Sequence, residues 1–330
     1  MLILEKAIDM LDKSPMANYY LGNLLYDKKQ YDRAVECWEY TAENKKDFAL
    51  AYRNLSIAYY NKKNDIEKAF AAIKTACELE PDNSRFLLEQ DQLFAKANIS
   101  CEERLAVLNQ HKDLIEDRDT LCLAYVTLLN KNGFFEEALR ILERHVFHVW
   151  EGGEGKVAEQ YKISLFALAE KELSNNNFEK AIALAEKTIN YPDNFGEGKL
   201  FNVPDNRAHY IIGKCYKALG KNDEANKYFN LATVGSTEPE PVRYYNDQPS
   251  DYIYYIGLAY LELGCKEKAR KAFENLADFG KKHIDDAVDY DFFAVSLPEL
   301  EVYQDDIQKR NYDYCKMLIE LGEKGISLSK

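Results

Sequence analysis

The sequence lacks much of what whole classes of function require. Crossing a bilayer takes about 20 consecutive apolar residues, and the chain has no such run. The acids Glu5 and Asp9 stand where a signal peptide would carry basic residues. Positive charge is also in deficit: 43 Lys and Arg against 56 Asp and Glu leave a formal charge of −13. Neutralising a phosphate backbone needs the opposite balance, so nucleic acid is not an expected partner, nor is a membrane. The seven cysteines, Cys37, Cys77, Cys101, Cys122, Cys215, Cys265 and Cys315, include no close pair. That spacing fits neither a zinc site nor a disulfide framework, and it predicts free thiols in a reducing, cytoplasmic setting. GxSxG, a Walker loop and a dinucleotide fingerprint are missing too, so neither an enzyme nor a cofactor is expected.

What is present is a periodic helical pattern. Leu21-Gly22, Leu55-Ser56, Tyr125-Val126, Leu168-Ala169, Ile212-Gly213 and Ile256-Gly257 each set a bulky residue before a mostly small one. Twelve residues on from the small position comes Ala34, Ala138, Ala181, Ala225 or Ala269; Ala69 follows after one extra residue in the Asn61-Lys62-Lys63-Asn64 turn. Four residues further lies an inward position: Trp38, Ile73, Leu142, Ala185, Phe229 or Phe273. Two antiparallel helices approach closely only where small side chains oppose large ones, so this spacing describes one helical hairpin, repeated. Lys131-Asn132-Gly133, Ser174-Asn175-Asn176-Asn177, Leu219-Gly220 and Leu263-Gly264 supply its turns, and Pro81 ends a second helix.

The unit resembles the tetratricopeptide repeat, with small, aromatic and Ala slots in the same order. The resemblance implies an all-α fold, a right-handed α-α superhelix. Its weakest copy runs from Phe86 to Gln110, where Asp91 occupies the small slot and Ala106 is the nearest Ala. From Gly22 to Ser56, Asp91 and Val126 the steps are 34, 35 and 35 residues; from Val126 to Ala169, Gly213 and Gly257 they are 43, 44 and 44. Residues 1–145 therefore read as regular repeats and residues 146–330 as elongated ones, in one continuous solenoid. The added residues fall between hairpins, at 146–156, 191–206, 235–250 and 280–303, and are expected to line up along one edge.

Four stretches are more specific: Phe147 to Gly155, Tyr191-Pro192-Asp193-Asn194 with Gly196-Glu197-Gly198-Lys199, Tyr244 to Pro249, and Asp291 to Pro298. Over residues 145–322 they resemble the C-terminal region of an uncharacterised bacterial family in which a mutarotase-like β-sandwich domain precedes such repeats. The resemblance implies a fragment of a larger, carbohydrate-associated protein. Leu4 and Ala7, which occupy second-helix slots, fit a chain that starts inside a hairpin, either excised or natively capped.

Two surfaces are then candidates. The first is a groove lined by first helices, with Asn18, Asn23, Arg53, Asn54 and Lys214, suited to an extended peptide or another protein domain. The second is the insertion edge, with Trp150, Glu151, Glu154, Tyr244, Tyr245, Asn246 and Asp247. It is suited to packing on an adjoining β-sandwich domain or completing a carbohydrate site. Trp150 with the two glutamates has the chemistry of a sugar subsite, an indole under a ring face with carboxylates for its hydroxyls. The competing reading is a shaped loop in which Gly152, Gly153 and Gly155 permit positive φ and Glu151 caps the next helix. Asn246, Asp247, Gln248 and Pro249 are ordinary turn and N-cap residues. His145, His148 and Glu151 share a helical spacing without completing a metal set. Asp285, Asp286, Asp289, Asp305 and Asp306 contain pairs of the kind glycoside hydrolysis uses, but such runs are more often solvated faces or helix caps.

Overall fold

The computed structural model describes residue 6 and residues 14–150, 152–240, 246–289 and 302–330. Among them, the regular structure is helical, in two compact units. The first comprises residues 1–128 and 299–305, the second residues 129–298 and 306–330.

In the first unit α1 (Pro15–Asp27) pairs with α2 (Tyr31–Asn44), α3 (Ala49–Ala58) with α4 (Ile66–Leu79), and α5 (Ser84–Lys96) with α6 (Cys101–Leu108). Then comes α7 (Asp119–Lys131), within which the two units are divided. The second unit holds α8 (Phe135–Arg144) and the pairs α9 (Lys156–Ser174) with α10 (Phe178–Lys187), α11 (Asn206–Ala218) with α12 (Asn222–Ala232), and α13 (Tyr252–Glu262) with α14 (Lys266–His283). α15 (Ile307–Leu328) packs along α14.

The small-opposite-large rule is visible at atomic distances. A Cβ added to Gly22 would stand 2.5 Å from Trp38 Nε1, one on Gly213 2.6 Å from Phe229 Cε1, and one on Gly257 2.3 Å from Phe273 Cε1. All six Ala of the second helices are buried. Burying each slot aromatic stabilises by about 1.5–3 kcal/mol, and only a side chain of no size leaves room for it. The hairpin turns solve the reversal in one way. Lys29, Asn64, Asn98, Gly133, Asn176, Gly220 and Gly264 each take positive φ, the left-handed step that ends a helix.

Two hairpins of the first unit depart from this scheme. In the weak copy Asp91 is buried and receives both arms of Arg104, Nε to Oδ1 at 2.8 Å and Nη2 to Oδ2 at 2.7 Å. Leu105 and Leu108 face inward there, whereas Ala106, the nearest Ala in the sequence, is exposed. A bidentate pair thus does what size does elsewhere. In the second hairpin the extra residue before Ala69 becomes a π-helical turn, Tyr59–Lys63, closed by Asn64 at φ 52°. The wider turn displaces Tyr60 and Asn61 from the register they would have in an uninterrupted α-helix.

Candidate peptide-binding face

Side chains of α1, α2, α3 and α5 in the first unit form one polar network. Trp38 Nε1 donates to Asn23 Oδ1 at 3.0 Å, which also accepts from Asn54 Nδ2 at 2.9 Å. Asn54 Oδ1 accepts from Arg53 Nη1 at 3.3 Å, and Arg53 grips both oxygens of Glu89 at 2.7 Å. Arg85 Nε reaches Glu89 at 2.9 Å. Burial lowers the pKa of the Arg53 guanidinium, but its hydrogen bonds and attraction to Glu89 outweigh this and raise it overall. Three residues expected in a groove, Asn23, Arg53 and Asn54, are therefore together. Asn18 lies apart: its carboxamide donates to Ser14 O within its own helix. Lys214 belongs to the second unit and pairs with Glu262 at 2.8 Å.

Against this face lie residues 302–305 of the same chain. The Asn61 carboxamide holds their backbone at two points: Nδ2 donates to Val302 O and Oδ1 accepts the Gln304 N–H, both at 2.9 Å. Tyr303, between them, is 2% exposed. Its hydroxyl is 2.9 Å from the buried Ser56 Oγ, and its ring meets Tyr60 edge-on at 5.5 Å. Burial pushes the Tyr303 phenol well above its ordinary pKa and, on α4, moves the Cys77 thiol up to about 12. Asp305 completes the grip with an ion pair to Lys96 Nζ at 2.5 Å. None of Ser56, Asn61, Lys96 and Tyr303 is a site candidate by sequence, where Ser56 reads as a small slot and Asn61 as part of a turn. The one available signal was the extra residue in the Asn61 turn.

In the second unit, insertion residues pack on one another. Phe147 N–H donates to Asn194 O at 2.8 Å, and Asn194 Nδ2 donates to Leu142 O at 2.8 Å and His145 O at 2.6 Å. The third insertion is tied down by Asn275 Nδ2 to Thr237 O at 2.8 Å, and Gln248 bonds both backbone groups of Ser236. The described end of the fourth, residues 302 and 303, belongs to the first unit. The expectation that all four insertions make one edge therefore does not hold for this part, because Tyr303 is buried in the first unit's core.

Trp150 lies over Gly153, where an added Cβ would stand 2.1 Å from the indole. The space bounded by Trp150, Glu154, His148 and Glu197 is about 10 Å³, room for one water molecule. Gly152 and Gly155 have positive φ, and the Gly155 N–H at the start of α9 is capped by Glu197 Oε2 at 2.9 Å. Burial pushes the Glu197 carboxyl above the usual range. Glu151, Tyr244 and Tyr245 lie outside the described residues. Asn246 and Asp247 are half-buried in the turn before Pro249. The His145 ring meets Phe147 edge-on at 4.6 Å. Among the described residues no group of three or more His, Cys, Asp or Glu could hold a metal ion. Asp286 pairs with His283 at 2.6 Å, and Asp306 caps α15 by accepting the Lys309 N–H. No described helix is long and apolar enough to cross a membrane.

Comparison with known proteins bears on these repeats. Residues 4–84, 207–233 and 251–278 each match a model of the tetratricopeptide repeat. The TPR repeat-containing protein YpiA of Bacillus subtilis (strain 168) is 23% identical over 274 residues, 82% of this chain and 57% of that protein. The chain thus spans little more than half the length of this curated relative. Among solved structures, YrrB, described as a TPR protein with an unusual peptide-binding site, is 19% identical at a TM-score of 0.41, covering 56% of this chain and 90% of that one. A tetratricopeptide repeat protein from Parabacteroides merdae ATCC 43184 is 14% identical at a TM-score of 0.43, covering 94% and 98%. Naa15/Naa10 bound to HypK-THB is 15% identical at a TM-score of 0.48, covering 99% and 50%. The matches to family models fall in both units, and the chain carries tetratricopeptide repeats in an array of helical hairpins.

Proposed function

We propose that the chain is a non-catalytic interaction scaffold whose first unit binds extended peptide on the face of α3 and α5. One observation carries the reading: Asn61 bonds a carbonyl and an N–H two residues apart on residues 302 and 304. A carboxamide used this way reads main chain rather than side chain, so it grips an extended strand whatever its sequence. The Asn23–Asn54–Arg53–Glu89 network holds the surrounding side chains in fixed rotamers, which lowers the entropy lost on binding.

Display selection of random extended peptides on the full chain tests this reading. Selected peptides should lose on the order of tenfold affinity on Asn61→Ala, the worth of about one net hydrogen bond. Undiminished binding to that variant would overturn it. Docking of the insertion edge on a β-sandwich domain, or a carbohydrate role for it, rests on the family resemblance. Calorimetry of wild type and Trp150→Ala against a panel of sugars tests it: heat that the substitution removes would support a sugar site in that loop.

A further inference from the structure

We propose that the face of α3 and α5 is a receptor for peptides presenting an aliphatic residue, then a tyrosine, then an acid two positions beyond, and that residues 302–305 are its resident, displaceable ligand. The inference rests on the peptide-binding reading and adds side-chain selectivity and self-competition to it.

Each element of the pattern has its own contact. The aliphatic position, Val302, packs against the hydrophobic cluster of the first unit. The tyrosine is selected over phenylalanine because Ser56 is fully buried and its hydroxyl meets the Tyr303 hydroxyl at 2.9 Å. A phenylalanine would bury that serine hydroxyl without this partner. The next position is unrestricted, since the Gln304 side chain is exposed. The acid is selected by Lys96, the last residue of α5, whose ion pair is with Asp305.

The manner of attachment separates a ligand from a core staple. Completing a core needs only a buried ring. Here the backbone on both sides of the ring is also gripped, and a partly exposed ion pair follows at the end. Main-chain bonds with pockets for particular side chains are the way extended ligands are held. The pairs that close the first and third hairpins, Gly22 with Trp38 and Asp91 with Arg104, use no atom of residues 302–305. Removing the segment therefore leaves these two pairs their partners. As part of the same chain the resident is always present beside the face, so a free peptide of equal quality loses to it, and a partner with added contacts wins.

The probe is a labelled synthetic peptide with the sequence of residues 299–306, titrated against the full chain. It should bind Tyr303→Ala on the order of 100-fold more tightly than wild type, and raise that variant's melting temperature by refilling the vacated space. The same peptide with Ala for Tyr should do neither. Because Tyr303→Ala hollows the core, Asp305→Lys serves as the second variant, weakening the resident at its partly exposed end. It too should bind the probe more tightly than wild type. Lys96→Glu should reject the probe and accept a version with Lys in place of the acid. If neither resident variant takes up the probe, or if the Ala peptide binds equally well, the inference is overturned. Display-selected peptides that depend on Asn61 yet bind wild type and Asp305→Lys equally would also overturn it, while leaving the peptide-binding reading intact.

Discussion

The two units fill the same structural slot with different chemistry. In two hairpins of the second, the small position is Gly213 or Gly257 and its partner is the hairpin's own Phe229 or Phe273. In the first, only Gly22 with Trp38 follows that plan. Asp91 takes a charge partner from its own hairpin, and Ser56 has its hydroxyl met by Tyr303, from 247 residues along the chain. A slot filled by size is self-sufficient, whereas a buried polar atom in a slot must find a partner. When no such partner comes from its own hairpin, one must come from elsewhere. The polar slot at Ser56 is therefore where the first unit takes in another stretch of chain.

This difference predicts graded outcomes. Arg104→Ala strands the buried Asp91 carboxylate and should cost about 3–5 kcal/mol in urea denaturation. Replacing both by Leu and Met should recover most of that, turning the slot into the second unit's kind. Gly213→Val drives a side chain into Phe229 and should cost about 1–3 kcal/mol by overpacking, although Val raises helix propensity over Gly. Tyr303→Phe should cost about 1 kcal/mol, the worth of the hydroxyl pair with Ser56. Lys29→Gly should gain a few tenths to about 1 kcal/mol, since Lys29 holds φ 59° where the other turns use Gly or Asn.

The thiols add a pH dependence with a definite sign. Burial raises Cys77 to about 12 and Cys215 to about 11 against an ordinary value of 9.0. The unfolded chain then releases these protons at lower pH than the folded one. Stability from both groups is intact below pH 9, falls as pH rises past it, and is lost through the folded values. Urea midpoints from pH 7 to 10.5 should decline more steeply for wild type than for a Cys77→Ala, Cys215→Ala double variant.

Much of the fold was legible in residue spacing. A twelve-residue step between a small slot and an Ala states how far apart two antiparallel helices cross, and Gly22, Gly213 and Gly257 meet the predicted partners. The weak copy was legible as a departure, because Asp91 cannot fill a small slot uncharged and unpaired; its partner Arg104 was not, since charge pairing leaves no periodic trace. At the candidate site Asn23, Arg53 and Asn54 follow from helical phase, as polar residues on first helices. Asn61 and Tyr303 do not. One depends on a π-turn whose extra residue reads as a longer loop, and the other on a contact across more than two hundred residues that no local pattern encodes. In the Trp150 loop, among the described residues, the indole packs against Gly153 and Gly152 and Gly155 make the turn.

The central claim is that residues 302–305 are held on the first unit as a ligand rather than as part of its hairpins. Amide hydrogen exchange on Asn61→Ala tests this most directly, because the Gln304 N–H loses its acceptor there. The account predicts that Gln304 exchanges far faster in the variant while the amides of α3 and α4 keep wild-type protection. Loss of protection in α3 and α4 together with Gln304 would contradict it.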